Sequence, residues 1–308
     1  MRPLAAAAGL VLTAGSGTAA YAGVVERRRY TLRQAEAALA GLREPLRVLH
    51  IADIHYVPGQ RKAFRWLQGL AELQPDLVIN TGDNLSHPDA IPEVLEALAP
   101  LRALPGAFVP GSNDYYAPRA KNPLKYLAGP SRPHQEHGEP TLDTARLHAG
   151  FESSGWANLT NAHAALTVGA NRLQLAGTDD AHIERDAFDG WGSGEGARLA
   201  VTHAPVRSVL AEFARADAGI VLAGHTHGGQ VCLPGGRALV TNCDLPTPQA
   251  KGLTRIDRTG APSPSGDTLL HVSAGIGTSA TAPVRLFCPP EATLLTLLPA
   301  PDPAGAAA

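Results

Sequence analysis

From Leu46 onward the chain alternates short apolar runs with helical patterns, and this rhythm constrains the fold more than any other feature. Leu46 to Ala52 reads as a strand, Asp76 to Asn80 as a second and Ala107 to Val109 as a third. Between them, Gln60 to Leu73 sets Phe64, Leu67, Leu70 and Leu73 at helical spacing. Ile91 to Leu104 does the same with Val94, Leu95, Leu98 and Leu101. A β-α-β-α-β opening predicts an α/β fold, with a parallel sheet covered by helices. Residues 115–150 break the rhythm with prolines and basic residues, then a helix at Asp143 to Ser154. Most of that stretch reads as a loop-rich insertion above the carboxyl edge of the sheet. Strands return at Ala165–Val168, Arg172–Ala176, Leu199–Thr202 and Gly219–Ala223, with a helix at Val206–Ala216. Residues 268–298 are again strand-like.

Composition narrows the class. Hydrophobic residues make up 44% of the 308 and charged residues 18%, enough for an extensive core and too apolar for global disorder. A net charge of −2 excludes coating nucleic acid by bulk positive charge, and no basic, aromatic-rich surface is visible, so no nucleic-acid partner is expected. Cys232, Cys243 and Cys288 are odd in number and form no CxxC pair, which predicts buried thiols. Leu4 to Val25 carries no charge and is bounded by Arg2 and by Glu26-Arg27-Arg28-Arg29. Residues 1–27 therefore read as a membrane anchor or a cleaved export signal, with a soluble helix as the rival. That makes the protein membrane-associated or exported, and charge on both flanks leaves the side of the membrane open. Residues 300–308 read as a disordered tail, leaving 45–299 as the main folded domain.

Five polar clusters stand where an apolar strand runs out. They are Asp53-Ile54-His55, Gly82-Asp83-Asn84, Gly111-Ser112-Asn113-Asp114, His203, and Gly224-His225-Thr226-His227-Gly228-Gly229-Gln230. Successive strand ends of a parallel sheet lie side by side, so residues distant in sequence converge on one edge. Carboxylates and imidazoles meeting there make a cation site with mixed oxygen and nitrogen ligands. Strand alternation would put Asp53 and His55 on one face, and an extended backbone would do the same for His225 and His227. Taken singly, each cluster is more often a turn or a hydrogen-bonded histidine; their joint order is the signal. His50, His87, His134, His137, His148, His163, His182 and His271 share no such placement, and surface or structural roles are expected of them. Asp179-Asp180 also ends a strand, and a plain turn is expected there.

These motifs resemble those of the calcineurin-like metallophosphoesterase superfamily. The Gly-His-Thr-His-Gly-Gly-Gln form, with Gly275-Ile276-Gly277-Thr278-Ser279 and Pro283-Val284-Arg285-Leu286-Phe287, looks like its bacterial membrane-associated or exported phosphodiesterase branch. The resemblance implies a four-layer α/β/β/α sandwich over residues 45–298. It implies two divalent metal ions (manganese, iron, zinc or cobalt), with Asp53, His55 and His227 on one, Asp83 bridging, and Asn113, His203 and His225 on the other. A metal-bridging hydroxide would then hydrolyse a phosphodiester or phosphomonoester, a lipid-linked one included, with Asp83, Asn113 and Asp114 as the catalytic residues.

One departure matters. The family pattern Gly-Asn-His-Asp/Glu is here Gly111-Ser112-Asn113-Asp114, so the usual histidine is missing. Either Ser112 or Asn113 takes the ligand position, and the amide oxygen of Asn113 is the better neutral ligand. An asparagine cannot act as a general acid near neutral pH, which predicts slower turnover of poor leaving groups, or protonation by water or another residue. Arg119, Lys121 and Lys125 could contact a substrate phosphate or an anionic headgroup, or form a solvated basic face. The rival function on the same fold is a non-catalytic, metal-binding interaction module.

Overall fold

The computed structural model describes residues 15–118, 139–280 and 282–300. Two six-stranded sheets face each other. The first runs in the order β1 (Thr31–Leu39), β14 (Glu291–Pro299), β2 (Leu46–Ile51), β3 (Leu77–Asn80), β4 (Gly106–Phe108), β5 (Ala157–Asn158). The second runs β12 (Gly252–Ile256), β13 (Thr268–Val272), β9 (Ile220–Ala223), β8 (Ala197–Thr202), β7 (Asn171–Gly177), β6 (Ala162–Val168). A two-stranded ribbon pairs β10 (Cys232–Leu233) with β11 (Arg237–Ala238).

Strand alternation builds the layers. Leu46 and Val48 of β2, Leu77 and Ile79 of β3, Leu199 and Val201 of β8, and Ile220 and Leu222 of β9 fill the space between the sheets. Their neighbours face outward. Leu49, Ile51, Val78 and Phe108 pack under the helices of the first sheet, while Ala200 and Val221 pack under those of the second. Both faces of the central strands are therefore buried, which is why they read as continuous apolar runs. The result is the four-layer α/β/β/α sandwich.

The helices follow from their apolar spacing. Helix α1 (Arg61–Gly69) buries Ala63 and Leu67, one turn apart. Helix α2 (Ile91–Ala97) buries Ile91, Val94 and Ala97. The single helix expected over Ile91–Leu104 is divided at Leu98, and α3 (Ala99–Arg102) begins with Pro100 in its first turn. A proline there has no N–H to continue the preceding ladder. Helix α4 (Ser112–Tyr115) is a single turn, and α5 (Thr144–Glu152) is capped by Asp143, whose carboxylate accepts the Arg146 N–H. Helix α6 (Arg207–Arg215) lays Val209, Leu210 and Phe213 on the second sheet. Fully burying one phenylalanine there stabilises by roughly 2–3 kcal/mol.

Strands β1, β5 and β12 were not expected from periodicity. Thr31–Leu39 is rich in Ala, Gln and Glu, which favour helix, yet it pairs in parallel with β14 along its full nine residues. Tertiary pairing overrides local propensity there, and the exposed Arg33, Gln34 and Glu36 suit an edge strand. Upstream, Glu26 is buried and accepts the Cys288 N–H at 2.7 Å, and the Ala22 carbonyl accepts from Arg285 N at 3.1 Å. Among the described residues no helix is long and apolar enough to cross a membrane. Residues 1–14 of the expected anchor, Arg119, Lys121 and Lys125, and 301–308 of the expected tail lie outside the described residues.

Candidate metal centre

Strands β2, β3 and β4 are parallel neighbours in the first sheet, and β8 and β9 are parallel neighbours in the second. Their carboxyl ends therefore open onto one seam between the sheets. Asp53, His55 and His227 bring ligand atoms within 4.8 Å of one another, as do Asp53, Asp83 and His203. Asp53 belongs to both groups. The closest approaches are 3.2 Å between His55 Nε2 and His227 Nε2, 3.4 Å between His203 Nε2 and Asp83 Oδ2, and 3.5 Å between His55 Nε2 and Asp83 Oδ2. His227 Nε2 is 3.8 Å from Asp53 Oδ1. All five side chains are buried.

The convergence does not come from strand alternation, as the residue spacing had suggested. Asp53 (φ 49°), His55 (φ 45°), Asp83 (φ 55°), His225 (φ 69°) and His227 (φ 49°) all take left-handed backbone. That conformation is uncommon outside glycine and concentrates at functional sites, where surrounding structure must hold it. Glycines make the room. A Cβ on Gly224 would lie 2.7 Å from Asp53 Oδ2, and one on Gly275 (φ +73°) would lie 2.6 Å from Asp53 Cβ.

Each half of the seam orients the other. The His225 N–H of the second sheet donates to both Asp53 oxygens, at 3.1 and 3.0 Å. His203 Nδ1 donates to the Thr81 carbonyl of the first sheet at 2.7 Å. In the neutral ring that bond places the proton on Nδ1 and leaves His203 Nε2 an acceptor, the form a bound cation would require. The atom is buried, has no well-aligned hydrogen-bond partner, and faces an oxygen that is also an acceptor. Two acceptors facing each other in a buried site fit a cation between them. The donor set passes the test for a metal.

Electrostatics agree. Burial opposes ionisation of Asp83, but the charge and hydrogen bond of His203, with His55 and the Asn113 N–H, hold its pKa well below the usual range. Burial likewise opposes charge on His203, and Asp83, Asp180 and Asp53 outweigh it and raise its pKa. The site attracts positive charge. Burial, with Asp83 adding repulsion, raises Asp53 to about 7 although His203 opposes it. Burial lowers His55 to about 4 and holds His225 and His227 below the usual range, so these rings stay neutral and keep lone pairs for a ligand.

The remaining expected residues are placed as follows. Asn113, rather than Ser112, presents its side chain to Asp83: its amide lies 2.7 Å from Oδ2 and its backbone N–H donates to Oδ1 at 2.8 Å. His225 stands edge-on to His203, with ring centroids 5.2 Å apart, and its Nε2 meets the Asn242 carbonyl at 3.3 Å. Asp114, expected to be catalytic, binds the backbone of the Asp83 turn. Its carboxylate accepts the N–H groups of Gly111, Asp83 and Asn84 and the Asn84 amide, so it positions the Asp83 turn.

Two residues were underrated. Asp180 is fully buried and spans two turns, accepting the His182 N–H and the Ser112 N–H at 2.8 Å each. His182, expected to be structural or on the surface, packs against the His225 ring with centroids 4.7 Å apart. The signal was present: Asp179-Asp180 ends β7 as the other clusters end their strands. Arg285 gave none. It is a fully buried guanidinium that donates to the carbonyls of His227, Ala274, Gly275 and Gly277.

The family profile described as calcineurin-like phosphoesterase matches residues 46–229, and the chain belongs to that family. It is similar to "Transmembrane protein with metallophosphoesterase domain" of Danio rerio, 26% identical over 268 residues that cover 82% of this chain and 53% of that protein. The Bos taurus protein of the same name is 26% identical over 260 residues, 83% of this chain and 54% of its own length. The chain thus spans about half the length of both relatives. "Uncharacterized metallophosphoesterase YkuE" of Bacillus subtilis (strain 168) is 25% identical over 73% of this chain and 69% of its own length. The crystal structure of TT1561 of Thermus thermophilus aligns with a TM-score of 0.42 and 11% identity, covering 75% of this chain and 90% of that one.

Proposed function

We propose that the protein hydrolyses phosphate esters, phosphodiesters in preference to monoesters, at a centre of two divalent cations. One observation carries the reading: two overlapping ligand groups share Asp53 and meet at a seam where a buried imidazole nitrogen lacks a partner. Asp53, His55 and His227 would hold the first ion, Asp83 would serve both, and Asn113, His203 and His225 would complete the second. Bound cations supply Lewis acidity at the phosphoryl group and an acidified water as nucleophile.

The chain's own residues do the rest. Thr81 and Asn242 carbonyls fix the His203 and His225 rings. Asp114 holds the turn that presents Asp83. Gly111-Ser112-Asn113-Asp114 brings no imidazole, but Asp180 ties Ser112 to the turn that carries His182. We assign His182 a hydrogen bond to the leaving-group oxygen. A substrate in or on a membrane is supported by the apolar run Leu4 to Val25 and by the names of two relatives.

The test is hydrolysis of a chromogenic phosphodiester and a monoester across manganese, iron, zinc and cobalt, with Asp83→Asn as control. Diester turnover abolished by Asp83→Asn is the expected result. Activity on neither substrate with any metal favours an interaction module instead. In His182→Ala the rate should fall more steeply as the leaving group becomes more basic; a parallel loss across the series removes His182 from the chemistry.

A further inference from the structure

The sequence shows three widely spaced cysteines and no paired motif, yet the fold brings two of them together. Cys232 and Cys288 lie in a small apolar cluster with Ala238, Ala250 and Ala274. Both sulfurs also reach one carbonyl, that of Gly228, at 3.3 and 3.5 Å. Lys251 Nζ reaches both as well, 3.3 Å from Cys288 Sγ and 3.8 Å from Cys232 Sγ. Backbone bonds set this approach: Leu286 N donates to the Gln230 carbonyl and Cys232 N to the Leu286 carbonyl, at 2.9 Å each. The third cysteine, Cys243, sits in a different core cluster.

We propose that Cys232 and Cys288 are a dithiol oxidation site that closes to a disulfide beneath the His227 turn, with a hydroperoxide as oxidant. One thiol sulfur attacks the peroxide O–O bond, giving a sulfenic acid and an alcohol (or water). The second thiol then displaces water from that sulfenic acid. Two thiols and one hydroperoxide thus yield one disulfide, one alcohol and one water, with two electrons passing from sulfur to oxygen. The chain neighbours Leu233 and Phe287 are exposed, so the backbone that carries each buried thiol runs at the surface. Lys251, as a cation between the sulfurs, favours the thiolate that attacks.

The site is linked to the metal centre. Cys288 Sγ is 3.5 Å from the His227 carbonyl, and both thiols donate to the next carbonyl in that turn. A disulfide has no S–H to donate, so closing it strips donors from the turn that carries His227. Arg285 Nη1 still holds the His227 carbonyl at 3.1 Å, which favours loosening over collapse. The disulfide does not depend on the proposed hydrolase reading; its effect on metal binding does.

The test treats the full-length protein with hydrogen peroxide and reads intact mass, disulfide-linked peptides under non-reducing conditions, and bound manganese. A loss of about 2 Da, a dithiothreitol-reversible Cys232–Cys288 peptide and weaker manganese retention are expected. Cys232→Ser and Cys288→Ser should each abolish the mass loss, and Cys243→Ser should keep it. Unchanged mass overturns the proposal, as does a gain of about 14 Da from a lysine–oxygen–cysteine link or of about 32–48 Da on a single cysteine. A disulfide that forms without changing manganese retention retains the site and removes its link to the metal centre.

Discussion

The two sides of the seam are built from different chemistry. The first sheet contributes Asp53, His55, Asp83 and Asn113, dominated by oxygen; the second contributes His203, His225 and His227, all imidazole. Each side is also oriented by the other. Asp53 is held by a backbone N–H of the second sheet, and His203 by a carbonyl of the first. Neither edge is a site on its own. The difference teaches that function here is a property of sheet docking, with the apolar layer between the sheets acting as the positioning element.

The comparison can be broken first at its shared carboxylate. Asp83→Asn should lower phosphodiester turnover by about 10³-fold or more, the scale of losing a principal electrostatic contact, while circular dichroism stays native. An intact rate would mean that the oxygen side is dispensable.

A pH titration of stability tests the docking itself. His50 of the first sheet and His271 of the second meet inside the seam, Nδ1 to Nδ1 at 2.8 Å. Burial lowers His271 from its ordinary 6.5 to about 4, and burial plus the neighbouring ring lowers His50. Below pH 6.5 the unfolded chain takes up protons that the folded chain refuses. The stability that the neutral His271 contributes should therefore be complete above that pH, fall as pH drops towards about 4, and flatten below it. For His271 alone the change is roughly 3 kcal/mol. Urea unfolding at stepped pH should show this slope, and His271→Asn should reduce it.

Smaller effects separate positioning from ligation. Asp114→Asn replaces an acceptor of four N–H bonds by an amide, and should cost about 10–100-fold in metal affinity by isothermal titration, with Asp83 still in place. Thr81→Val removes the hydroxyl that His50 Nε2 meets at 3.1 Å. It should lower unfolding stability by roughly 1–2 kcal/mol and leave metal affinity alone, since His203 is held by the Thr81 carbonyl, not its side chain. A metal defect in Thr81→Val would show that the two sheets are coupled more tightly than their contacts indicate.

How much of this was legible follows from where the information sits. The central strands announce themselves because both faces are buried, so Val48, Leu77, Leu199 and Ile220 stand in plain apolar runs. The residues that converge on the seam were legible for the same reason, as polar residues directly after those runs. The geometry was not: left-handed backbone at Asp53 and His55 brings them together, and no residue pattern encodes that for non-glycine positions. β1 was missed because its Ala- and Glu-rich sequence becomes a strand only through β14. The Cys232–Cys288 pair and the contact of Arg285 with the His227 carbonyl span more than 50 positions, which no local pattern records.

The central claim is that both sheets jointly hold the cations, and metal content tests it most directly. Inductively coupled plasma mass spectrometry on purified protein should give about two ions per chain, in line with a two-metal phosphoesterase site. Asp53→Ala from one sheet and His203→Ala from the other should each lose bound metal while remaining folded. If either variant keeps the full complement, the seam is not the cation site and the account fails.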